Sequence, residues 1–531
     1  MTQTPKEIIF EEDAREKLRS GIEQIAEVVS FTLGPKGRNV GMESWGSPTI
    51  TNDGGSIVDS IELSDSFENM GASMAKEMVG KVKESCGDGT TTATLLLAAM
   101  VKSGVKHITS GISPIFLKRG MEKAVDAVLK AIDQAATPIS DDKAIEHIAT
   151  VSASGSAEVG KIIGAAYAKV GREGVITIEN AKGTETSIEL VEGMQFDRGY
   201  LSPYFCTNAE KMIVEMQNPK ILLVNKKIST VHEILPALQS IAASGQELLI
   251  VAEDLEGTAL STLVVNKLQG GLKVCAVKAP GFGDNRKEMM EDIAVLTGAT
   301  VVSDDTGVSA KEIDASFLGQ LEKITVSKDN TTLVNGSGSE EMIQARIKQI
   351  DAEIDRSTST YDKEKLNTRK AKLSGGVAVI QVGALSETEQ KQRKQVFEDS
   401  LNSTRAAIES GTVAGGGVAL MRARAAIDAL ELDSEEAMGA QVIYKACSIP
   451  AEQIARNTGK DGSVIVAEIA NAKENFGFNA LTEEMEDLVL AGIVDPAKVT
   501  KTALSIAAST AGIVLISEAL IRDAEEEENE A

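Results

Sequence analysis

Apolar residues recur at helical spacing through both ends of this chain. The segments 67–85 and 90–108 carry apolar side chains every three or four positions and are rich in Ala, Met, Leu and Lys. That period and those residue types favour amphipathic helices. The chain therefore reads as mostly helical up to about residue 136, and as helix-rich again from about residue 410.

The middle of the chain has a different pattern. From about residue 220, the apolar runs ILLVNKK, LLIVAED and KVCAVKAP each precede a helical segment. Strands that alternate with helices indicate parallel pairing with right-handed crossovers. Two β-branched runs, Val175–Glu179 and the VAVIQVG that follows Gly375–Gly376, predict further strands. Because the two ends of the chain share a helix-rich composition, we predict a middle α/β domain inserted into a helical one.

Residues 339–372 are charged and have helical character, with a break at Ser357–Tyr361. This pattern predicts an antiparallel pair of surface helices. The final residues, AEEEENEA, form an acidic run typical of a solvated chain end.

Composition narrows the possible functions. The chain has 531 residues, 54 Lys and Arg against 79 Asp and Glu, a net charge of −25, and only 3% aromatic residues. A length of this order predicts several domains. Strong negative charge repels phosphate backbones and anionic membranes, so neither nucleic acid nor a membrane is expected as a partner.

Targeting and metal signals are weak. No basic region followed by an apolar stretch opens the sequence, and we expect no transmembrane segment, which leaves the cytoplasm as the expected compartment. The four cysteines form no CxxC pair, and the three histidines have no HExxH spacing. A disulfide framework or a histidine-based metal centre is therefore not expected.

The segment CGDGTTTATLLLAAM, residues 86–100, is the strongest candidate for chemistry, since neither a P-loop nor a strand-linked GxGxxG occurs. Gly87 and Gly89 would allow close approach of a ligand, and the threonines begin an apolar helix whose N-terminus could hold a phosphate. Asp88 fits that function only if a divalent cation lies between it and the anion. An ordinary N-cap aspartate is an equally good explanation.

Three further glycine-rich loops accompany this segment. They are TLGPKGRNV, TITNDGGS and TVAGGGVAL, and they lie on both sides of the predicted inserted domain. Together with the first loop, they fit a metal–nucleotide site better than a set of unrelated turns.

In combination, TLGPKGRNV, GDGTTTAT, FDRGYLSPYF, VAGGGVAL and the late DPAKVT closely resemble the GroEL-type (group I) chaperonins, from near Phe10 to about Asp523. The resemblance implies an α/β multidomain fold. Its parts are an equatorial ATPase domain (1–136 and 410–531), a small hinge-like intermediate domain (137–192 and 376–409) and an inserted α/β apical domain (193–375). Gly193 and Gly375–Gly376 would be hinge glycines.

The family resemblance also implies the activity and its partners. Members form seven-membered rings, usually two stacked, which bind non-native polypeptides and enclose them beneath a GroES-type co-chaperonin. ATP and Mg²⁺ are the expected cofactors, with K⁺ as a further candidate. Carried over by motif position, Asp53 and Asp399 would assist hydrolysis, and Asp88 would hold Mg²⁺. The nucleotide would be bound by Thr32, Leu33, Gly34, Pro35, Asn52, Asp88, Gly89, Thr90, Thr91, Thr92, Gly416, Asn479, Ala480, Leu481 and Asp495.

The same comparison implies a binding face for unfolded chains in the apical domain. Its residues would be Tyr200, Ser202, Tyr204, Phe205, Leu235, Leu238, Leu260, Val264 and Val265. The pairs Leu235/Leu238 and Leu260/Val264 each lie on one helical stripe. From the sequence alone, a buried core would be the ordinary explanation of those stripes. Only the resemblance favours an exposed surface.

Some positions depart from the family pattern. Asn52 stands where the family usually has a lysine, Glu452 stands where close relatives often have an arginine near Asp461, and the tail lacks Gly-Gly-Met repeats. Three hypotheses follow: a working chaperonin ATPase, a divergent paralogue with weak ATPase that mainly holds its clients, and a metabolic α/β enzyme. The first is favoured because Asp53, Asp88 and Asp399 are all present. The last is disfavoured since no nucleophile elbow or cofactor loop occurs.

Overall fold

The computed structural model describes residues 5–43, 48–139, 142–153, 155–172, 174–181, 183–209, 211–303, 315–356, 360–374 and 376–523. The chain forms two compact units. The outer unit combines Met1–Gly164 with Ala384–Ala531, and the inserted unit is Ala165–Gly383. At this coarse level, both chain ends fold together and the middle forms a separate body. The finer division into three domains stays a prediction.

Helices account for most of the ordered structure. In chain order they are α1 (Glu11–Ser30), α2 (Gly54–Ser60), α3 (Ser66–Cys86), α4 (Thr90–Thr109), α5 (Pro114–Ala135), α6 (Asp142–Ser152), α7 (Ala157–Val170), α8 (Leu235–Ser244), α9 (Gly257–Leu268), α10 (Gly283–Thr297), α11 (Glu340–Arg356), α12 (Thr360–Ser374), α13 (Glu387–Ser410), α14 (Val418–Ala423), α15 (Ser434–Ala446), α16 (Ile449–Asn457), α17 (Gly462–Asn471) and α18 (Ala497–Ile516).

The strands are shorter. They are β1 (Lys6–Phe10), β2 (Val40–Met42), β3 (Thr49–Thr51), β4 (Val175–Asn180), β5 (Ser187–Val191), β6 (Gly193–Phe196), β7 (Val214–Gln217), β8 (Lys220–Ile228), β9 (Glu247–Leu255), β10 (Lys273–Lys278), β11 (Val301–Val302), β12 (Gly319–Val326), β13 (Thr331–Gly336), β14 (Val377–Val382), β15 (Thr412–Ala414), β16 (Phe476–Asn479), β17 (Glu484–Asp487), β18 (Val494–Pro496) and β19 (Ala519–Asp523).

The core of the outer unit lies among α1, α3, α4, α5, α15 and α18. The helices predicted at 67–85 and 90–108 are confirmed as α3 and α4. Among the described residues, α18 is long and apolar enough to cross a membrane by length and composition alone, a property that buried core helices share. Its buried side chains pack against α3, α4 and α5, as in a core helix.

Short antiparallel pairs accompany these helices: β1 with β19, β2 with β3, β15 with β18, and β16 with β17. In the first pair, Ile8 lies opposite Ile521, so the strands join the two ends of the described chain. The mostly helical prediction for these regions missed these strands.

The inserted unit is built on an eight-stranded sheet with the order β10-β9-β8-β12-β13-β6, with β11 beside β8 and β7 beside β12. The predicted parallel strands are confirmed, since β8, β9 and β10 run parallel and Leu249 lies opposite both Ile221 and Cys275. The antiparallel strands β6, β7, β12 and β13 were not predicted.

A smaller sheet has the order β4-β14-β5, with β14 parallel to β4 and antiparallel to β5. It confirms the two predicted β-branched strands. The predicted charged helices are α11 and α12, and both are anchored on α10. Arg346 and Arg369 donate to opposite oxygens of the buried Asp292 at 2.7 and 2.8 Å. Residues 357–359, Gly375 and the acidic tail lie outside the described residues.

Candidate functional site

Loops from both chain ends surround one cavity of about 550 Å³ inside the outer unit. The structure places every residue predicted for the nucleotide site, including Asp53 and Asp399, in its lining. The predicted set lies together although its members span residues 32 to 495 of the chain. Their individual roles stay predictions.

The turn between α3 and α4 forms one wall of this cavity. Gly87 and Gly89 have φ values of +71° and +85°, which favour glycine. A Cβ on Gly89 would lie 2.7 Å from Val499 Cγ1, so α18 also excludes a side chain here. Asp88 is not the N-cap of α4: Gly89 occupies that position, and Asp88 Oδ1 accepts a hydrogen bond from Gly89 N at 2.6 Å. The helix therefore begins at Thr90 with no side-chain cap, and its first N–H groups are available to an anion.

A second helix N-terminus lies against the first. Asp53 caps α2 by accepting hydrogen bonds from Gly55 N at 3.2 Å and from Ser56 N at 3.0 Å. A Cβ on Gly54 would lie only 2.1 Å from Thr91 Oγ1. The absence of a side chain at residue 54 thus lets the start of α2 approach the first turn of α4.

The helix α13 presents three polar side chains to the cavity at intervals of four residues. Gln395 Nε2 donates to Asp399 Oδ1 at 2.7 Å. The Ser403 side chain hydrogen-bonds with the Asp88 carboxyl and accepts from Ser152 Oγ at 2.6 Å. Gln395 and Ser403 were missed by the sequence reasoning, although their spacing from Asp399 places them on one helical face.

The electrostatics of the cavity are dominated by acids. Among the described residues that line it are Asp53, Asp88, Asp399 and Asp495, and no Lys, Arg or His. Burial, followed by the charges of Asp53 and Asp88, holds the pKa of Asp399 well above its ordinary value. Burial and then the charge of Asp88 raise the pKa of Asp495 to about 7. Burial also raises the pKa of Asp88, against the hydrogen bonds from Gly89 and Ser403.

This donor set fits a magnesium–nucleotide complex. Mg²⁺ prefers oxygen ligands and is usually held by one or two carboxylates together with phosphates and water. A divalent cation would offset the burial, and the repulsion between carboxylates, that raise the pKa of Asp88 and Asp399. Within the part of the chain that the structure describes, no three His, Cys, Asp or Glu side chains form a metal cluster on their own. A cation here would therefore take further ligands from the nucleotide and from water.

The opposite wall is held by contacts that do not involve a ligand. Asn457 Nδ2 donates to the carbonyls of Ser30 and Leu33, both at 2.8 Å, which ties the TLGPKGRNV loop to α16. Asn479 Oδ1 accepts from Leu481 N at 2.9 Å, and its amide donates to Glu486 at 2.6 Å. The shape of this wall is thus set before a ligand binds.

The apolar face predicted for the inserted unit is only partly exposed. Tyr204 is 65% exposed and Val265 is 47% exposed, while Phe205 and Leu238 are buried. The half-buried members are Tyr200, Ser202, Leu235, Leu260 and Val264. The assignment of Phe205 and Leu238 to an exposed face is therefore wrong, because both pack in the core around the large sheet.

One exposed residue of this face was not predicted. Leu268, at the end of α9, is 61% exposed. The neighbouring Lys267 donates to the carbonyls of Tyr204 and Cys206 at 2.8 and 2.9 Å, which fixes the Tyr204 turn beside α9. Tyr204, Val265 and Leu268 form what we call the α9 face.

Comparison with known proteins finds a matching family model and many similar chains. The model of the TCP-1/cpn60 chaperonin family matches residues 25–525 of this chain. Over 527 residues, the chain is 63% identical to chaperonin GroEL 3 of Protochlamydia amoebophila (strain UWE25), and the match covers 99% of both chains. The similarity therefore extends over both units and over every loop of the cavity.

Proposed function

Because this chain belongs to the TCP-1/cpn60 chaperonin family, we propose that it is an ATP-dependent chaperonin of the GroEL type, which binds non-native proteins and promotes their folding. One observation of the structure supports this most strongly. Asp53, Asp88 and Asp399 lie in one cavity with the uncapped N-terminus of α4.

The residues of the cavity suit the hydrolysis of a nucleoside triphosphate. The first turn of α4, from Thr90 to Thr92, would bind phosphate oxygens through its N–H groups and hydroxyls. Asp88 would hold Mg²⁺, which when bound would neutralise charge on the phosphates. Asp53 and Asp399 would orient the attacking water and accept its proton.

The adenosine half of the nucleotide would occupy the opposite wall. Gly416 has a φ of +63° and lines the cavity with no side chain. The loop of Asn479, Ala480 and Leu481 would flank the adenine, and Asp495 would bind the ribose. K⁺ is a further candidate cation.

The α9 face is the proposed binding surface for unfolded chains. Its exposed Tyr204, Val265 and Leu268 are flanked by the half-buried Leu260 and Val264. Apolar surfaces bind without regard to sequence, because burial of apolar area is non-directional. The mobile loop of a GroES-type co-chaperonin would compete for the same residues.

The assembly and compartment follow from the family. We propose seven-membered rings, two of them stacked, in the cytoplasm. Each ring would enclose a client beneath the co-chaperonin. The equatorial, intermediate and apical domains predicted above would be the moving parts of that cycle.

The test is steady-state hydrolysis of MgATP by the purified protein, with Asp399→Ala as the control. We expect hydrolysis that collapses in the variant while binding of MgATP persists, because Asp399 would act on the water rather than on the nucleotide. Hydrolysis by the wild-type protein no faster than by Asp399→Ala would overturn the proposal. It would favour the alternative of a paralogue that holds clients without cycling.

A further inference from the structure

One cation lies beside the acidic cavity without lining it. Lys83, on the last turn of α3, places its Nζ 4.0 Å from Asp53 Oδ2. Its side chain is 42% exposed, whereas that of Asp53 is 17% exposed. A Cβ on Gly55 would lie 3.6 Å from the Lys83 Nζ, an ordinary van der Waals distance, so the ammonium group lies against the start of α2.

The charge of Lys83 acts on several acids around the cavity. It opposes the effects of burial and of Asp53 and Asp88 on the pKa of Asp399. Burial raises the pKa of Asp59, on α2, and Lys83 and Lys76 oppose that rise. Lys83 therefore offsets, from α3, part of the burial and the repulsion that act on Asp59 and Asp399.

This position matters because the cavity supplies no cation of its own. Its described lining includes four aspartates and no basic side chain. Asn52, directly before Asp53, is neutral at a position where the family resemblance implies a lysine. A triphosphate that approaches Asp53 thus depends on the bound metal, on helix N-termini and on charge from outside the lining.

We propose that Lys83 is a positioning residue of the nucleotide site, which supplies from α3 the positive charge that Asn52 does not. It neutralises Asp53 on the side away from the cavity and lowers the repulsion between that carboxylate and the phosphates. The inference rests on the proposed function, and it concerns nucleotide affinity more than the chemical step.

The alternative is that Lys83 has only a structural role. Lys83 could serve only to screen Asp53 and Asp59 where α2 packs on α3. Such a role would lower the stability of the apo protein when the charge is removed, and a new cation inside the cavity would not correct it.

The experiment is equilibrium binding of MgADP, and of MgATP in the Asp399→Ala background, to the full-length protein by calorimetry. Lys83→Gln should raise the Kd by about three- to tenfold, as expected for one half-exposed charge. In steady-state hydrolysis, KM should rise more than kcat falls. Lys83→Arg should bind within about twofold of wild type, because it keeps the charge.

Two comparisons separate charge from packing. Asn52→Lys in the Lys83→Gln protein should restore the affinity, since it returns a cation to Asp53 from the other side. Lys81→Gln is the matched control, because Lys81 lies on the same helix and pairs with Glu77 at the exposed surface. If glutamine disturbs the folding of α3, Lys83→Met keeps the aliphatic stem and good helix propensity without the charge.

Equal affinities for Lys83→Gln and wild type would overturn the inference. So would a loss of affinity that Asn52→Lys leaves uncorrected while the apo unfolding midpoint falls, since this is the signature of the structural role. Failure of the wild-type protein to bind MgATP at all would instead refute the proposed function.

Discussion

Replacement of Gly89 by alanine tests how the cavity wall is built. Gly89 has a φ of +85°, a conformation that costs an L-residue about 1–2 kcal/mol. The new Cβ would also lie 2.7 Å from Val499 Cγ1 on the buried side of α18. Overpacking of this kind typically costs about 1–3 kcal/mol. Together, the two effects predict a loss of about 2–5 kcal/mol in the free energy of unfolding.

The same substitution should weaken nucleotide binding. Relief of the contact requires α4 or α18 to move, and Thr90–Thr92 begin directly after the substituted residue. We expect the Kd for MgADP to rise by at least about tenfold, because phosphate binding at a helix N-terminus depends on the direction of its N–H groups.

The assay is denaturant unfolding at one subunit concentration, since oligomerisation itself stabilises a protein. Gly111→Ala is the matched control: Gly111 has a φ of +92°, and a Cβ there would meet nothing within 4 Å. It should show only the backbone penalty of about 1–2 kcal/mol. In the double variant Gly89→Ala/Val499→Ala, the contact is removed, so the combined loss should be smaller than the sum of the two single losses.

A loss of stability in Gly89→Ala no greater than that in Gly111→Ala would contradict this prediction. Additive losses in the double variant would also contradict it, because they would mean that Val499 does not oppose the new methyl group.

Two further predictions concern charge. Folding raises the pKa of Asp495 to about 7, so the carboxyl group takes up a proton on folding between about pH 4 and pH 7. The stability that comes from this proton is present at low pH and is lost as the pH rises through that range. Asp495→Asn should therefore raise the apo unfolding midpoint at pH 8 but not at pH 4, and an unchanged midpoint at pH 8 would contradict this. The family resemblance implies that Glu452 and Asp461 lie in a region of contact between stacked rings, where two acids cannot form a salt bridge. Within this chain, Glu452 pairs with Arg456 on its own helix, and Asp461 caps α17. We expect single rings on dilution and stable double rings for Glu452→Arg, which native mass measurements showing only fourteen-subunit particles at every wild-type concentration would refute.

Much of the fold could be predicted because its signals are local. The apolar period of α3 and α4 and the apolar strands β8, β9 and β10 are properties of short stretches of chain. Their existence and their parallel pairing follow from the alternation of strand and helix. The insertion of one unit into the other was also predicted, because the helical pattern of the two chain ends gives way to alternating strands and helices in the middle.

Strand pairs between distant segments could not be predicted in this way. In the pairing of β1 with β19, Lys6 lies opposite Asp523, and neither strand carries a pattern that names its partner. The antiparallel β12 and β13 were missed for the same reason. Register between remote segments depends on side-chain packing across the whole sheet.

For the candidate site, the sequence by itself determined which loops carry glycine, threonine and aspartate, and the motifs identified the family. Tertiary structure decided what surrounds them. It placed Gln395 and Ser403 of α13 against the acids, brought Lys83 to the far side of Asp53, and buried Phe205 and Leu238 in the core. The physical reason is that residue type sets what a side chain can do. Burial and charge at a given position depend on neighbours that are remote in the chain.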